Sequence, residues 1–471
     1  MTFFKEKLIL IKELVLMPEI LMLLLYFALS IIVGIAASKK VVSFRDFAIG
    51  KRNLPYPIIG MTLCATLIGG GSAIGIAAES YKYGIIFLLA RYGEVFAYLI
   101  VAYVVAPRMD RFFGLISVGD IMAKLYGDKF GVVTGISGVL LCIGRVAAQL
   151  MALGFIVEYL LGYSQIVGIL IGLSVVLIYS ITGGIRAVIL TDVMQFVIMF
   201  VMLPFVVKKS LIGIGGYDQI VHRIISGIDT VSLSEIIKYL TLFLYLSLHF
   251  FVPPNVQRLL ICKDKNQVKK SFIMFAMGDL IFTTASGIIG IIAYTTVKNI
   301  DANLAYLSVI GDMQSWAKGL GIVGIFAIIM STADSFLHAG SICFVNDALR
   351  LYKISDKNKL IYARTVIFVI GLAAALMAML FKNIFEIAMY TSNFWGPIIL
   401  GPAYAGILGY KLSAKQVSMS MICGATAFIL WEYCGLKDIT NIHTIFAGMI
   451  ANFISVTFSI VFLNGAKKIE K

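Results

Sequence analysis

Four side chains set close together in one apolar stretch are the first in this sequence that could do chemistry. In Met330-Ser331-Thr332-Ala333-Asp334-Ser335 the spacing i, i+3, i+4 puts Ser331, Asp334 and Ser335 on one helical face, with Thr332 at its flank. Hydroxyls and a carboxylate are hard oxygen ligands, which suit an alkali cation rather than a soft metal. A buried acid without a partner is expensive in an apolar helix, so Asp334 marks a pathway or a site. Arg145 and Gln149 are one turn apart on one face of another apolar run. A guanidinium there needs an anionic or carbonyl partner and receives a carboxylate bidentately. It either anchors the carboxylate of a small organic acid or amino acid, or pairs with an acid on another helix such as Glu94 or Glu79.

Two interruptions stand out in the runs that would carry these groups. Ala65–Gly75 contains Gly69-Gly70-Gly71, and each glycine costs a helix about 1 kcal/mol relative to alanine. In lipid an unwound backbone survives only where protein or a water-filled cavity satisfies its amides and carbonyls. The stretch reads either as a broken helix whose carbonyls bind a cation or as close packing by small residues. Tyr245–Asn255 holds Pro253-Pro254, which remove two amide donors and end regular helix.

The elements that position these groups are membrane spans. Of 471 residues 60% are hydrophobic and 14% charged, where a soluble domain carries about 25% charge. That composition excludes soluble enzymes, nucleic-acid binders and disulfide scaffolds, and the net charge of +14 reads as cytoplasmic loop bias rather than a nucleic-acid footprint. The six cysteines are scattered without a CxxC pair and the histidines lack metal-ligand spacing. The predicted fold is an all-α polytopic membrane protein with thirteen spans, near 17–37, 55–79, 83–106, 131–158, 164–182, 187–207, 235–252, 270–297, 319–347, 361–381, 384–408, 414–433 and 442–464. Lys5, Glu6, Lys7, Lys12 and Glu13 interrupt the N-terminus, which does not read as a cleavable signal. Lysine and arginine collect about two to one in one set of loops, among them Lys39, Arg52, Arg108, Arg258, Lys263, Arg350, Lys411 and Lys467. This predicts the N-terminus outside and the C-terminus in the cytoplasm of a bacterial inner membrane. Arg91 sits one turn from Glu94 as an internal pair. Trp395 and Trp431 read as interfacial anchors, His338 and His443 as structural, Met194–Met202 as lipid-facing or core packing, and Asn299–Trp316 as an external loop with a short amphipathic helix serving as a lid.

With Tyr81-Lys82-Tyr83-Gly84, Gly183-Gly184-Ile185-Arg186 followed by Thr191-Asp192, and Gln257-Arg258-Leu259 before Lys263-Asp264, these segments resemble the sodium:solute symporter family in order and spacing over about residues 40 to 410. The resemblance implies the leucine-transporter-type fold: two inverted five-helix repeats at 53–210 and 233–410, an extra helix within 1–40, and two C-terminal helices within 411–471. It implies a main sodium site from the carbonyls of Ala65, Ile68 and Ile328 with the hydroxyls of Ser331 and Thr332. A second sodium site in some members matches Asp192, Ser331, Asp334 and Ser335; the competing reading has both acids protonated, or paired with hydroxyls and Arg186. The solute would sit among Gly69, Gly70, Gly71, Ser72, Arg145, Gln149, Tyr245 and His249. The choline branch has aromatics where this chain has Leu67, Val146 and Val252, and a quaternary ammonium needs an aromatic cage. The proline branch has an acid and a tryptophan where this chain has Leu67 and Gly71, so neither solute fits.

The resulting expectation is a sodium-coupled symporter that imports a small organic solute, an amino acid or small carboxylate, by alternating access. Sodium is the coupling ion, no organic cofactor is called for, and the partners are the solute and the bilayer, with the chain working as a monomer. The rivals are proton coupling through Asp192 or Asp334 and a solute sensor that transports nothing. A membrane enzyme is disfavoured, since no nucleotide loop or nucleophile elbow appears.

Overall fold

Helix α1, Pro18–Ser38, lies against the bundle with its outer face bare: Leu25 and Ile32 are exposed while Tyr26 and Ser30 are buried. An apolar exterior of this kind belongs in lipid. The structure, a computed structural model, describes residues 18–38, 41–212, 218, 221, 232–297, 300–381, 383–440 and 442–462. Lys5 to Glu13, Lys39, Lys40, Asn299, Lys467, Lys468 and Lys471 fall outside that set.

After the short α2, Phe44–Ile49, comes α3, Tyr56–Leu67, which stops at the glycines. The chain resumes with a π-helical turn, Gly71–Gly75, and α4, Ile76–Tyr83, bent 66° from α3. Helix α5, Ile85–Ile100, continues through tighter and looser turns to Phe112, and α6, Val118–Tyr126, leads into α7, Asp128–Leu161. The segment α8, Gln165–Ile212, is two helical arms that meet at Gly184, whose backbone (φ 55°, ψ −159°) is not helical. A Cβ there would lie 2.7 Å from the Phe47 ring, so glycine is required twice over. Helix α9, Leu233–Leu248, starts at a capping box in which Ser232 and Glu235 satisfy each other's amides. It breaks at His249, and α10, Pro253–Ile261, begins with both prolines in its first turn, where no amide partner is lost.

Then follow α11, Lys265–Thr296; α12, Ala305–Gly311; α13, Ser315–Ile342; α14, Asp356–Leu380; α15, Ile384–Ser392; α16, Gly396–Leu408; α17, Ala414–Tyr433; α18, Leu436–Thr440; and α19, Thr444–Val461. Helix α13 is the axis of the molecule. Every residue from Gly321 to Ile342 is buried, and α1, α3, α7, α8, α10 and α14 pack around it.

Among the described residues nine helices are long and apolar enough to cross a membrane, or ten with the bent α3–α4 pair taken as one span. The expected count of thirteen is not established by that measure. Segments 164–182 and 187–207 are two helical arms that meet at a non-helical Gly184, 384–408 splits into α15 and α16, and α17 carries Lys415 and Glu432 in a less apolar sequence. Three further expectations are corrected. Trp395 is fully buried and donates Nε1 to the Phe251 carbonyl at 2.9 Å, so it pins the second break rather than an interface. Arg258, placed by charge bias in a loop, is wholly buried on α10. Helix α12 buries Ala305 to Ile310 and so presents no polar face of a lid.

Candidate binding site at the two helix breaks

The first break is built by diverting three amides. In a continuous helix Gly69, Gly70 and Ser72 would donate to the carbonyls of Ala65, Thr66 and Ile68. Instead Gly69 N donates to Leu67 at 3.0 Å, Gly70 N to Gln149 Oε1 at 2.7 Å and Ser72 N to Gly69 at 2.9 Å. The Ala65 carbonyl accepts the Ser331 hydroxyl from α13 at 2.7 Å, and the same hydroxyl lies 2.9 Å from the Ile328 carbonyl. Thr332 Oγ1 is 3.4 Å from Ile328 O. The Ser331–Ala65 bond thus joins α3 to α13, and the diversion of Ser72 N to Gly69 takes from the Ile68 carbonyl the donor it would have in a continuous helix. Neutral, hard oxygens of this kind are the chemistry a monovalent cation takes. A Cβ on Gly69 would stand 2.6 Å from Thr332 Oγ1, which is why the chain needs glycine where the helices touch.

Asp192, Asp334 and Ser335 are each fully buried within the same core. Asp192 pairs with Arg258 at 3.2 Å and accepts from the Thr62 and Thr66 hydroxyls. Ser335 Oγ accepts from Arg258 at 2.7 Å and lies 3.0 Å from Thr66 Oγ1. Asp334 instead accepts from Tyr179 at 2.9 Å and Thr191 at 3.3 Å. A guanidinium therefore stands between Asp192 and Ser335. The expected partner Arg186 is exposed at the bend of α8 and takes no part. Thr62, Thr66, Tyr179 and Arg258 were missed as site residues; the four-residue spacing of Thr62 and Thr66 on the broken helix was the available signal.

Between the two breaks lies a cavity of about 1410 Å³, its open mouth included. Gly69, Gly71, Ser72, Arg145, Gln149, Tyr245 and His249 line it, whereas Gly70 is turned into Gln149 and Ala152 and does not. Arg145 Nη2 donates to His249 Nε2 at 3.1 Å and lies 3.4 Å from Ser392 Oγ. The Tyr245 and His249 rings meet with centroids 4.9 Å apart. Neither Glu94 nor Glu79 pairs with Arg145. Glu94 receives both Arg91 Nη groups at 2.8 and 2.6 Å, and Glu79 receives Lys82 at 3.3 Å. Both ion pairs line the cavity. Leu67 and Val252 also line it, so apolar side chains stand where two of the cage aromatics would be.

His338 donates its Nε2–H to the Phe47 carbonyl, 2.9 Å away, as a structural histidine would. At the end of α13 remote from the mouth, Arg350 binds Asp120 and Asp128 at 2.6 Å each, and buried Asp347 accepts from Ser117 and Asn346.

The sodium:solute symporter family model matches residues 47–424. The chain is similar to the osmoregulated proline transporter OpuE of Bacillus subtilis, 24% identical over 463 residues and covering 92% of each chain. It is also similar to the sodium/pantothenate symporter of Haemophilus influenzae, 22% identical over 455 residues, 90% of this chain and 91% of that one. A solved Na+-coupled sialic acid symporter, in a substrate-bound outward-open state, shares the fold with a TM-score of 0.85 at 21% identity, covering 96% of this chain and 99% of that one.

Proposed function

This chain belongs to the sodium:solute symporter family, and from that premise we propose that it imports a small organic carboxylate or amino acid together with sodium. It is an integral membrane transporter rather than an enzyme, and sodium is its coupling ion. The observation that carries the finer reading is the Ser331 hydroxyl, 2.7 Å from Ala65 O and 2.9 Å from Ile328 O. A cation held by Ala65, Ile68, Ile328, Ser331 and Thr332 ties the broken helix to the axial helix, and so favours the state in which the cavity is open to solute. It can drive transport only through that difference in affinity between states. Each charge crossing with the potential contributes about 2.3 kcal/mol per 100 mV.

We place the solute among Gly69, Gly71, Ser72, Arg145, Gln149, Tyr245 and His249, with its carboxylate on Arg145. The repeats are placed at 53–210 and 233–410, with the N-terminus outside and the chain acting as a monomer. Arg258, standing between Asp192 and Ser335, supplies the positive charge that a second sodium would bring, which supports a cycle with one sodium. A second reading, proton coupling, is favoured by Asp334, which has hydroxyl partners but no cation within pairing distance among the described residues.

The test is uptake of a labelled pool of amino acids and carboxylates into liposomes under separate sodium, potassium and proton gradients. Uptake with sodium alone, weakened in Ser331→Ala and Thr332→Ala, is the expected result. Uptake driven by protons in sodium-free buffer would overturn it and move coupling to Asp334.

A further inference from the structure

The cavity proposed above as the solute site also bears on which of its two solute classes it takes. We propose that the solute is a monoanionic carboxylate without an ammonium group: a hydroxy, keto or simple acid, not an amino acid. The inference rests on the carboxylate assignment to Arg145 and extends it by accounting for the charges at the cavity.

Arg145 is the guanidinium at the cavity without a carboxylate among the described residues, and its buried Nε has no partner. The cavity's two acids are both engaged, Glu94 by Arg91 through both oxygens and Glu79 by Lys82. Asp279 stands near the Arg91–Glu94 pair but is 2% exposed and does not line the cavity. Binding one anion therefore leaves the cavity charge-balanced. Binding a zwitterion would neutralise Arg145 and add an ammonium with no counter-charge.

An ammonium can instead be held by backbone carbonyls, and broken helices are the natural source of them. Here several of them already accept a protein donor. Ala65 accepts Ser331, and Leu67 accepts Gly69 N and Ser72 Oγ. Thr66 and Ile68 do not line the cavity. At the second break Leu248 accepts the Tyr404 hydroxyl, Phe250 accepts Val252 N and Asn255 Nδ2, and Phe251 accepts Trp395. At the cavity wall stand three neutral buried groups, Tyr245 Oη, His249 Nδ1 and Asn255 Oδ1. With Nε2 accepting from Arg145, His249 Nδ1 is a donor and suits a hydroxyl or keto oxygen beside a carboxylate, while Asn255 Oδ1, an acceptor only, suits a hydroxyl. Leu67, Val252 and Phe336 suit a short apolar remainder.

Matched pairs that differ only in the amine decide the matter: L-lactate against L-alanine, 2-hydroxyisocaproate against L-leucine, mandelate against phenylglycine. The readout is the Tm of the purified full chain in sodium and in potassium buffer, with and without each acid. The expected result is a sodium-dependent rise in Tm with hydroxy acids, none with their amino partners, loss of the rise in Arg145→Ala and its partial retention in Arg145→Lys. An equal rise with the amino members would overturn the proposal and leave sodium symport standing. No rise with any acid would overturn the Arg145 assignment itself. Sodium's own effect on Tm, and its loss in Ser331→Ala, report separately on the sodium site.

Discussion

At Ser331 one hydroxyl proton serves two carbonyls, Ala65 and Ile328, that belong to different helices. A cation placed there replaces a shared proton with a full charge, and the hydroxyl turns to offer its lone pairs. Removing that oxygen in Ser331→Ala, or its neighbour in Thr332→Ala, should raise the sodium concentration for half-saturation about tenfold, about 1.4 kcal/mol. Ser335→Ala should leave it unchanged, because Ser335 serves Arg258; a loss of sodium affinity there would restore the second site. Arg258 and Asp192 are both fully buried, so each is stable only with the other. Arg258→Met alone strands a charge and should cost about 3–5 kcal/mol, whereas Arg258→Met with Asp192→Asn should recover most of it. Thermal unfolding of the four members of that cycle measures the coupling.

The two breaks are element-scale devices with different chemistry. The first arises because three glycines hold the chain poorly in a helix and because Gln149 and Thr332 press against the backbone. A methyl at Gly69 would meet Thr332 Oγ1 at 2.6 Å, while at Gly71 nothing lies within 4 Å. Gly69→Ala should therefore lose sodium-dependent stabilisation, and Gly71→Ala should fold with it intact; a sodium titration of Tm separates the two. The second break is not where the prolines act as terminators. They start α10, and the carbonyls of Leu248, Phe250 and Phe251 before them are held by Tyr404, Asn255 and Trp395. Glycine at 184 separates the two arms of α8, the two spans that the sequence presents, by a backbone conformation a helix does not contain.

Across the whole molecule, an open cavity on one side faces a polar latch on the other. Arg350 ties α13's far end to Asp120 and Asp128, on α6 and α7, so the axial helix cannot swing without breaking those pairs. Arg350→Ala should shift the population toward the opposite opening. A cysteine placed at Ser117 should then react faster with a water-soluble thiol reagent, and sodium should slow it again. One sodium carried with one monoanion moves no net charge. Uptake driven by a sodium gradient should accordingly be insensitive to an imposed membrane potential, and a potential-driven increase would argue for a zwitterion or a second sodium.

Local rules carried much of this chain's character. Apolar length marked most spans, glycine and proline marked both breaks, and the i, i+3, i+4 spacing gathered Ser331, Asp334 and Ser335 on one face, because each depends on residues within a turn or two. The Arg91–Glu94 pair was legible for the same reason. Partner choice was not legible. Asp192 meets Arg258 rather than Arg186, Arg145 meets His249 rather than an acid, and Trp395 goes inward. Those pairings span 66 to 144 residues, and helical periodicity says nothing about which faces meet at that distance. Only packing around α13 decides them, because a buried charge or amide must take whatever partner the neighbouring helices bring within hydrogen-bond reach.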